Sequence, residues 1–507
     1  MTPDPPSGDT DRDLARKIFL LALVTCAWFF GGSGFNQGSN IDLTRAIIER
    51  HTLSIDPYIE NTGDISVHGG HIYSNKAPGL SFLALVPYGL VHSIERLEGI
   101  DPGDPLVMTV NLYFVTVALC ATAGAVIPAV LFLIGRFAGV SRRWSMIVAL
   151  LVMFGTPLFP FSTVLFAHVP SALMLLLAYR DLFFRDRPRP FAAGAWIGVA
   201  GLTNYLCIPV AAIFAVAVAA TREARWRRTA LFILGGLPSV VLLGAYQYAA
   251  FGSFLRTSVE ATDPRYLTRG ALFGVLQLPN PEALYGITFS PYRGLFVFSP
   301  LLVLALAGAV LMLRRFRIAG TALWVIIFYF FLVNASFNGW HGGSSSGPRY
   351  LIPLIPLLGV ALLFFASRLR PLWIGLGTAA LLFNFAATAV DPQAQSTIRD
   401  PIRAYLGPAL VHGRIPESET SVPAGIRMFY TGHVGINRVA ADEVNPFERH
   451  RPGSLASEWA SFNLGELAFG TGSAASVAPI VAWMLLGSIY LLQRGAREEA
   501  VGATEGS

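Results

Sequence analysis

Long apolar runs recur along the whole chain and constrain its fold more than any other feature. Runs of about 16–28 residues alternate with short segments that carry clustered arginines. A mean hydropathy of +0.55 and a charged fraction of 13% exclude an ordinary soluble domain, in which about a quarter of the residues are charged. The pattern predicts an all-α polytopic membrane protein with about twelve transmembrane helices. The predicted spans are 17–34, 107–135, 144–159, 166–183, 190–203, 206–220, 228–250, 295–313, 319–335, 350–367, 371–390 and 475–492.

The arginine clusters between these runs indicate how the chain is oriented. If residues 78–93 lie flat at the membrane surface, every cluster falls on the same side as the basic N-terminus; a crossing at 78–93 would place most of them opposite it. Two prolines within this segment also weaken a straight crossing. We therefore predict that both termini lie inside the cell. Residues 35–106 then form one long external loop with interfacial helices that begin near Asn40 and at Pro78.

The sequence divides into three parts. Residues 1–390 are predicted to form the transmembrane module, 391–474 a Pro-rich external loop or small cap, and 475–507 the last transmembrane helix with a cytoplasmic tail. The three cysteines all lie within apolar runs and offer neither a disulfide framework nor a CxxC site. The surplus positive charge lies in short loops, where it orients a membrane protein, and does not indicate a nucleic-acid partner.

A carboxylate shortly after the first apolar run is the first candidate for chemistry. Asp42 follows Asn36 and Gln37, which are candidate substrate-binding residues. Asp42 has two interpretations: a carboxylate that favours a helix N-terminus, or a general base that takes a proton from a substrate hydroxyl. An ionisable group near lipid is costly to desolvate, so such a group is rare unless it has a function. The position of Asp42 therefore favours a functional role.

A second polar group precedes the apolar segment that begins at Pro78. Lys76 is either an interfacial lysine that reaches lipid headgroups or a fixed cation for a lipid-linked phosphate, with Tyr73 and Asn75 to orient it. Asp64 lies upstream in a glycine turn and is a candidate substrate contact. The spacing of Asp64 and the two histidines that follow it matches no standard metal site, so no metal and no cofactor are assigned.

The later external segments add further candidates. Arg293 follows Tyr292 directly before an apolar run, on the side where arginine is scarce, and suits either phosphate capture or membrane anchoring. His168 lies at an external helix start and is either a capped structural histidine or a catalytic one.

A Gly/Ser-rich segment over 338–350 is the second dense constellation. Backbone amides of such a loop cradle anions where the loop enters a helix. Arg349 adds charge, Trp340 offers an aromatic face for a sugar or an isoprenoid, and His341 is a candidate substrate contact. A flexible connector is the alternative, although a connector has no need of Trp, His and Arg together.

These motifs resemble the GT-C class of integral-membrane glycosyltransferases, in particular its protein-mannosyltransferase and aminoarabinose-transferase-like (family 39/83-like) branch. Asp42 matches the acidic residue of the first external loop, and Lys76-Ala77-Pro78-Gly79 matches the Lys-Pro-Pro-like turn of that class. Segments 285–296 and 347–351 are similar to stretches of related bacterial members. Two departures stand out: Leu43 replaces the second acidic residue of the paired motif in eukaryotic members, and His168 stands where a later acidic residue is expected.

The resemblance implies transfer of a sugar from a polyprenyl-phosphate donor to a glycan, lipid or protein acceptor of the cell envelope. The active site would lie on the non-cytoplasmic face of a bacterial inner membrane. Asp42 would be the base, and Lys76, Arg293 and Arg349 would stabilise the leaving phosphate. The alternatives are a transporter or flippase for a lipid-linked or polar solute and a non-catalytic assembly factor. A transporter would place its charges at mid-membrane, often in repeated halves, whereas here they lie at one surface and no repeat is visible.

Overall fold

The structure, a computed structural model, describes residues 8–32, 34–221, 224–408, 461–469 and 474–505. It is a bundle of helices joined by short loops on one side and longer polar segments on the other. The helices in chain order are α1 Gly8–Ala27, α2 Phe35–Arg50, α3 Gly79–Glu98, α4 Pro105–Thr116, α5 Thr122–Phe137, α6 Arg142–Phe154, α7 Leu158–Phe161, α8 His168–Phe183, α9 Pro190–Thr203, α10 Ile208–Ala219, α11 Arg225–Phe251, α12 Pro281–Thr288, α13 Leu295–Phe298, α14 Val303–Arg315, α15 Arg317–Ser336, α16 Ile355–Phe365, α17 Arg370–Val390, α18 Glu466–Phe469 and α19 Ala478–Glu505.

Two small antiparallel sheets accompany the helices. Strand β1 (Phe29–Phe30) pairs with β4 (Phe462–Asn463), so the exit of α1 is joined to the segment before the last helix. Strands β2 (Ile65–His68) and β3 (His71–Ser74) form a hairpin within the first loop. Single 3₁₀ or π turns complete the fold at Asp56–Asn61, Val117–Ala121, Tyr205–Cys207, Ser258–Ala261, Pro264–Tyr266, Pro300–Leu302, Arg349–Leu354, Ile402–Leu406 and Ala474–Val477.

Glycines allow the closest helix contact in the bundle, between α9 and α11. A Cβ at Gly194 would lie 1.9 Å from the carbonyl oxygen of Phe232, and a Cβ at Gly235 would lie 2.0 Å from that of Phe191. Small residues at such an interface let two backbones approach, as is common between membrane helices. A turn at Asn204 separates α9 from α10, because α9 ends at Thr203 and the Asn204 side chain accepts a hydrogen bond from the Leu206 amide at 3.1 Å.

Five of the described helical segments are long and apolar enough to cross a membrane: 106–137, 225–251, 317–336, 370–390 and 475–498. Shorter apolar helices cover 190–203, 205–219 and 349–365. The total of twelve spans therefore stays a prediction. One predicted span, 295–313, is interrupted, because Ser299 adopts a non-helical conformation and α13 and α14 are separate helices.

The predicted first span, 17–34, is wrong at its C-terminal end. Helix α1 stops at Ala27, and the next residues form β1. The backbone at Gly31 lies so close to a neighbouring segment that a Cβ there would meet Val164 at 2.3 Å. Strand pairing and this close approach outweigh the apolar composition that suggested a continuous helix.

The beginning of the predicted cap at 391–474 is built into the transmembrane module. Ala394, Ile398, Tyr405 and Leu406 are buried in the same core as the bundle helices. The chain therefore does not begin a separate unit at residue 391. Residues 409–460 of this segment lie outside the described part of the chain.

Two helices are present in the first loop, as predicted, although the first begins at Phe35 rather than near Asn40. Helix α3 exposes one stripe of apolar side chains: Val86, Leu90, Ile94 and Leu97 are 59–85% exposed. Their spacing places them on one face of the helix, and such a face fits the predicted position at the membrane surface.

A cysteine introduced at Glu98, the end of α3, is expected to react with a membrane-impermeant thiol reagent from the outside of intact cells. The reason is that the arginine clusters predict an external position for the whole loop. The three native cysteines are buried, so the unmodified protein is the control for background labelling. Labelling of Glu98→Cys only after access to the cytoplasm would overturn the flat orientation of α3.

Candidate active site

The hairpin of the first loop leads directly to Lys76. Gly69 and Gly70 have φ of 59° and 82°, in the region that favours glycine, and form the tight turn between β2 and β3. After β3 the chain reaches Lys76 and then α3. A Cβ at Gly79 would lie 2.6 Å from the backbone of Leu202, so the glycine of the Lys-Ala-Pro-Gly motif lets α3 begin against the end of α9.

Lys76 is held by the carboxylate of Asp64. The Nζ atom lies 2.9 Å from Oδ2, and the two side chains are 23% and 29% exposed. Burial opposes ionisation of Asp64, but the charges of Lys76 and Arg349 outweigh it and keep the pKa of Asp64 below its ordinary value. The chain contains 37 basic residues, and only Lys17 and Lys76 among them are lysines.

Arg349 and His168 complete what we call the cationic cluster: Asp64, Lys76, His168 and Arg349. Arg349 lies close enough to interact electrostatically with Asp64 and His168, and Lys76 also acts on His168. The guanidinium of Arg349 lies 5.3 Å from the ring centres of Phe166 and Tyr350, while its Nε is buried without a hydrogen-bond partner in the described structure. Residues from the first loop and the starts of two later helical segments thus meet at one place.

Asn75 supports this cluster from the neighbouring position. Its Nδ2 donates to the hydroxyl of Thr262 at 3.1 Å, and its Oδ1 is buried with no partner among the described residues. The backbone carbonyl of Lys76 accepts from Ser258 at 3.3 Å. The segment 258–263 therefore fixes the backbone on which Lys76 is presented.

Asp42 lies one helical turn beyond Ser39 on α2 and is fully buried. Its Oδ1 accepts from Asn61 at 3.0 Å and lies 4.0 Å from Nη1 of Arg45, while its Oδ2 has no partner within the described structure. Glu49 accepts a hydrogen bond from the Nε of Arg45 at 2.9 Å. The positive charge of Arg45 is therefore shared between Glu49 and Asp42. Burial raises the pKa of Asp42 to about 7, against the weaker opposing effects of Arg45 and Asn61.

The remaining predicted residues of the first loop have distinct positions. Asn36 and Gln37 lie in the first turn of α2, where Asn36 accepts from Asn40 at 3.2 Å and Gln37 is fully buried. Tyr73 lies on the hairpin, with its ring centre 5.3 Å from that of Phe251. The structure does not bring Tyr73 into contact with the cationic cluster.

Arg293 has a structural position that differs from its predicted contact with phosphate. It is fully buried, and its guanidinium donates to five backbone carbonyls at 3.0–3.4 Å. These carbonyls belong to Tyr292, His341, Gly343, Ala394 and Gln395. Burial lowers the pKa of Arg293 to about 10, and it remains charged at neutral pH. Arg293 thus joins the glycine-rich loop to the segment after α17 and has few donors left for a ligand.

The aromatic residues around Arg293 also contribute to packing. Tyr292 donates its hydroxyl to the carbonyl of Ser396 at 2.6 Å. Trp340 covers Gly286, where a Cβ would lie 2.3 Å from the indole ring. His341 accepts from the amide of Gly343 at 3.0 Å through Nδ1. These contacts hold the loop that leads into Arg349. Trp340 and His341 stay partly exposed, and contact of Tyr292, Trp340 and His341 with the substrate stays a prediction.

Replacement of Arg293 by alanine is expected to lower the midpoint of thermal unfolding by several degrees. Five carbonyls would lose a charged donor, three of them buried and two partly buried, and each unsatisfied buried acceptor costs about 1–3 kcal/mol. Arg399→Ala is the control, because Arg399 also lies over the Tyr292 ring, at 4.9 Å, but is exposed. Unchanged thermal stability together with lost donor binding would restore the phosphate role of Arg293.

Several polar residues near the site carry no signal in the sequence. Asn61, Gln393 and Gln395 are buried; Asn61 ends the 3₁₀ turn Asp56–Asn61, and the two glutamines lie in the irregular segment after α17. A single amide in a loop is ordinary in sequence, and only the folded chain shows that these amides are enclosed. The buried segment that begins at Asp391-Pro392 contains one proline and two glutamines, a composition typical of a loop. The sequence pattern therefore assigned this segment to the external loop or cap.

No protein-family model and no curated protein matches the chain at the level of sequence. Among solved structures it is similar to ArnT from Cupriavidus metallidurans bound to undecaprenyl phosphate, with 16% identity and a TM-score of 0.44 over 76% of this chain and 64% of ArnT. Comparison with the apo state of ArnT gives 18% identity and a TM-score of 0.46, over 94% of this chain and 75% of the ArnT chain. It is also similar to the oligosaccharyltransferase AglB from Archaeoglobus fulgidus in complex with an inhibitory peptide and a dolichol-phosphate. The identity is 14% and the TM-score 0.47, over 75% of this chain and 56% of the AglB chain.

The chain spans less than two thirds of the lipid-bound ArnT chain and little more than half of the AglB chain. ArnT, an aminoarabinose transferase, and AglB are GT-C glycosyltransferases, the class that the sequence motifs resemble. At this level of identity the similarity describes the arrangement of helices. The activity has to be argued from the residues of the site.

Proposed function

We propose that this protein is a membrane glycosyltransferase that moves a sugar from a polyprenyl-phosphate donor to an acceptor of the cell envelope. The observation that carries the proposal is the cationic cluster, in which Lys76 and Arg349 flank Asp64. Two cations and one carboxylate leave a single positive charge at the cluster. A polyprenyl-phosphate sugar is a phosphodiester with one negative charge, so donor and cluster are matched in charge.

The cluster suits the charge that develops during transfer. The acceptor oxygen forms a bond to the anomeric carbon, and the bond from that carbon to the phosphate oxygen breaks. The leaving polyprenyl phosphate gains negative charge, and Lys76 and Arg349 stabilise it. Positioned cations of this kind are more effective in a partly buried site than in water.

Asp42 is the proposed acceptor of the proton that the acceptor hydroxyl loses. A pKa of about 7 suits a general base at neutral pH, and the unpartnered Oδ2 is free to take the proton. Because Asp42 is fully buried, the acceptor reaches it only when the segment at Asn61 moves away from α2. Asp64 is the second candidate, since it is more exposed, but its charge is already shared with Lys76.

The proposed location is a bacterial inner membrane, with the site on the non-cytoplasmic side. This assignment rests on the arginine clusters, which the sequence places in the loops opposite the cationic cluster. A glycan, a lipid or a protein is the proposed acceptor, and the lipid bilayer holds the donor.

The test is a transfer assay with the purified full-length protein in lipid nanodiscs and a radiolabelled polyprenyl-phosphate sugar. Appearance of label on an added envelope fraction supports the proposal. Binding of the donor without transfer to any fraction, together with movement of the lipid across a proteoliposome membrane, would favour the flippase instead. A Lys76→Ala, Arg349→Ala double variant is the inactive control.

A further inference from the structure

A group of buried amides surrounds the start of α2, beside the cationic cluster. Gln37 and Asn40 lie on α2, and Gln393 and Gln395 lie on the segment that follows α17. All four side chains are 0–9% exposed. We call these four residues the amide group.

The two segments meet at Gly34. A Cβ at this position would lie 3.0 Å from Oε1 of Gln37 and 3.3 Å from Oε1 of Gln393. Gln393 donates to the carbonyl of Gly31 at 3.3 Å, and Gln37 donates to that of Gly32 at 3.5 Å. The absence of a side chain at Gly34 therefore lets two amide side chains, which donate to neighbouring backbone carbonyls, pack closely against this residue.

Three atoms of the amide group lack hydrogen-bond partners within the described residues. They are Oε1 of Gln37, Oδ1 of Asn40 and Nε2 of Gln395. A buried polar atom without a partner costs about 1–3 kcal/mol, so native proteins rarely keep several together without water or a ligand to satisfy them. The group offers both acceptors and a donor, the combination that sugar hydroxyls match.

Ser39 connects the amide group to the cationic cluster. Its hydroxyl lies 2.6 Å from the carbonyl oxygen of Asp64 and 2.8 Å from the hydroxyl of Ser74, and it precedes Asn40 directly. Asn40 thus lies next to a residue that contacts the segment holding the proposed phosphate contacts. No member of the amide group carries a charge, whereas the adjacent cluster has a net positive charge.

We infer that the amide group is the sugar subsite and that the transferred sugar is uncharged and rich in hydroxyls, rather than a cationic amino sugar. This inference rests on the proposed function. An ammonium group on the sugar would face Lys76 and Arg349. The neighbouring carboxylate of Asp391 is already engaged, because it accepts from the backbone amide of Gln393 at 2.6 Å and from the hydroxyl of Tyr405 at 3.1 Å. Hydroxyls would satisfy the three unpartnered amide atoms without that repulsion.

The test compares three lipids that share one polyprenyl phosphate: the phosphate alone, its neutral hexose ester and its 4-amino-pentose ester. Binding to the full-length protein in nanodiscs is measured for each. The unmodified protein is expected to bind the hexose lipid at least about tenfold more tightly than the phosphate alone and than the amino-pentose lipid. Equal or tighter binding of the amino-pentose lipid would overturn the inference without requiring any variant.

Variants locate the effect. Gln37→Ala, Gln393→Ala and Gly34→Ala are each expected to weaken binding of the hexose lipid about tenfold and to leave binding of the phosphate alone unchanged. Gln247→Ala, a buried glutamine of α11, is the control for loss of a buried amide elsewhere. Equal weakening of both lipids in the three variants would overturn the sugar subsite while the proposed function stands. Failure of the unmodified protein to bind any of the lipids would overturn both.

Discussion

Replacement of Asp42 by asparagine is expected to lower the rate of sugar transfer about 100-fold or more, with donor binding intact. Asparagine keeps the size of the side chain and most of its hydrogen bonds, but it cannot accept a proton. If Asp42 served only to stabilise α2, the same change would cost at most about 1 kcal/mol of local stability, and transfer would continue. Turnover and donor affinity measured on the same purified variant separate these two roles.

Two matched variants sharpen this experiment. Asp181 is also buried, near the C-terminal end of α8, so Asp181→Asn controls for loss of a buried carboxylate away from the cationic cluster. Asp64→Asn tests the second candidate base. Near-normal turnover in Asp42→Asn, combined with loss of turnover in Asp64→Asn, would transfer the role of base to Asp64.

The pKa of Asp42 gives an independent signature of the same role. Because burial raises this pKa from 3.8 to about 7, the ionised form increases as the pH rises through 7. Transfer is expected to rise about tenfold per pH unit below 7 and to level off above it, since the base must be ionised. The effect on stability has the opposite sign: the folded state holds the proton more tightly, so the contribution of Asp42 to stability is lost as the pH rises from about 4 past 7.

Replacement of Lys76 by alanine is expected to weaken binding of polyprenyl phosphate roughly 10- to 100-fold, the size of a lost hydrogen bond to a charged group. Arg349→Ala is expected to have an effect of the same size, because Arg349 supplies the second cation. Binding is measured with polyprenyl phosphate alone, so that contacts to the sugar do not contribute.

Lys17→Ala is the matched control for Lys76→Ala. Lys17 is the other lysine of the chain, and it forms a similar ion pair, 2.8 Å from Asp13. Its loss is expected to leave donor affinity unchanged. Unaltered affinity in both Lys76→Ala and Arg349→Ala would exclude the cationic cluster as the phosphate site.

The sequence predicts the helical architecture of this protein because apolar runs and arginine clusters are local signals. It also predicts the two helices of the first loop and the candidates Asp64, Lys76 and Arg349, which the fold brings together from distant segments. The structural role of Arg293 could not be predicted in this way. The sequence around a lone external arginine does not show whether its side chain contacts a phosphate or backbone carbonyls. The partners of Arg293 include residues about 100 positions away along the chain.

The early end of α1 and the members of the amide group other than Gln37 could not be predicted for a related reason. An apolar pair such as Phe29–Phe30 continues a helical pattern, and only its distant partner Phe462–Asn463 makes it a strand. In the same way, Gln393 is an ordinary loop residue until the fold places it against Gly34. Both features depend on contacts between segments that are more than 350 residues apart, which no local pattern records.

The pairing of β1 with β4 also sets the order in which the protein can be completed. The exit of α1 leaves the ribosome well before its partner strand, which is made more than 400 residues later. At synthesis rates of about 5–20 residues per second, the first helix waits roughly 20–90 s for this partner. The last helix then adds further contacts, including the ion pair between Arg494 and Asp13 at 3.0 Å. The joining of α1 to the segment before α19 is therefore a late step, and a chain that stalls before β4 is made lacks the strand that pairs with the entrance to the loop bearing Asp42.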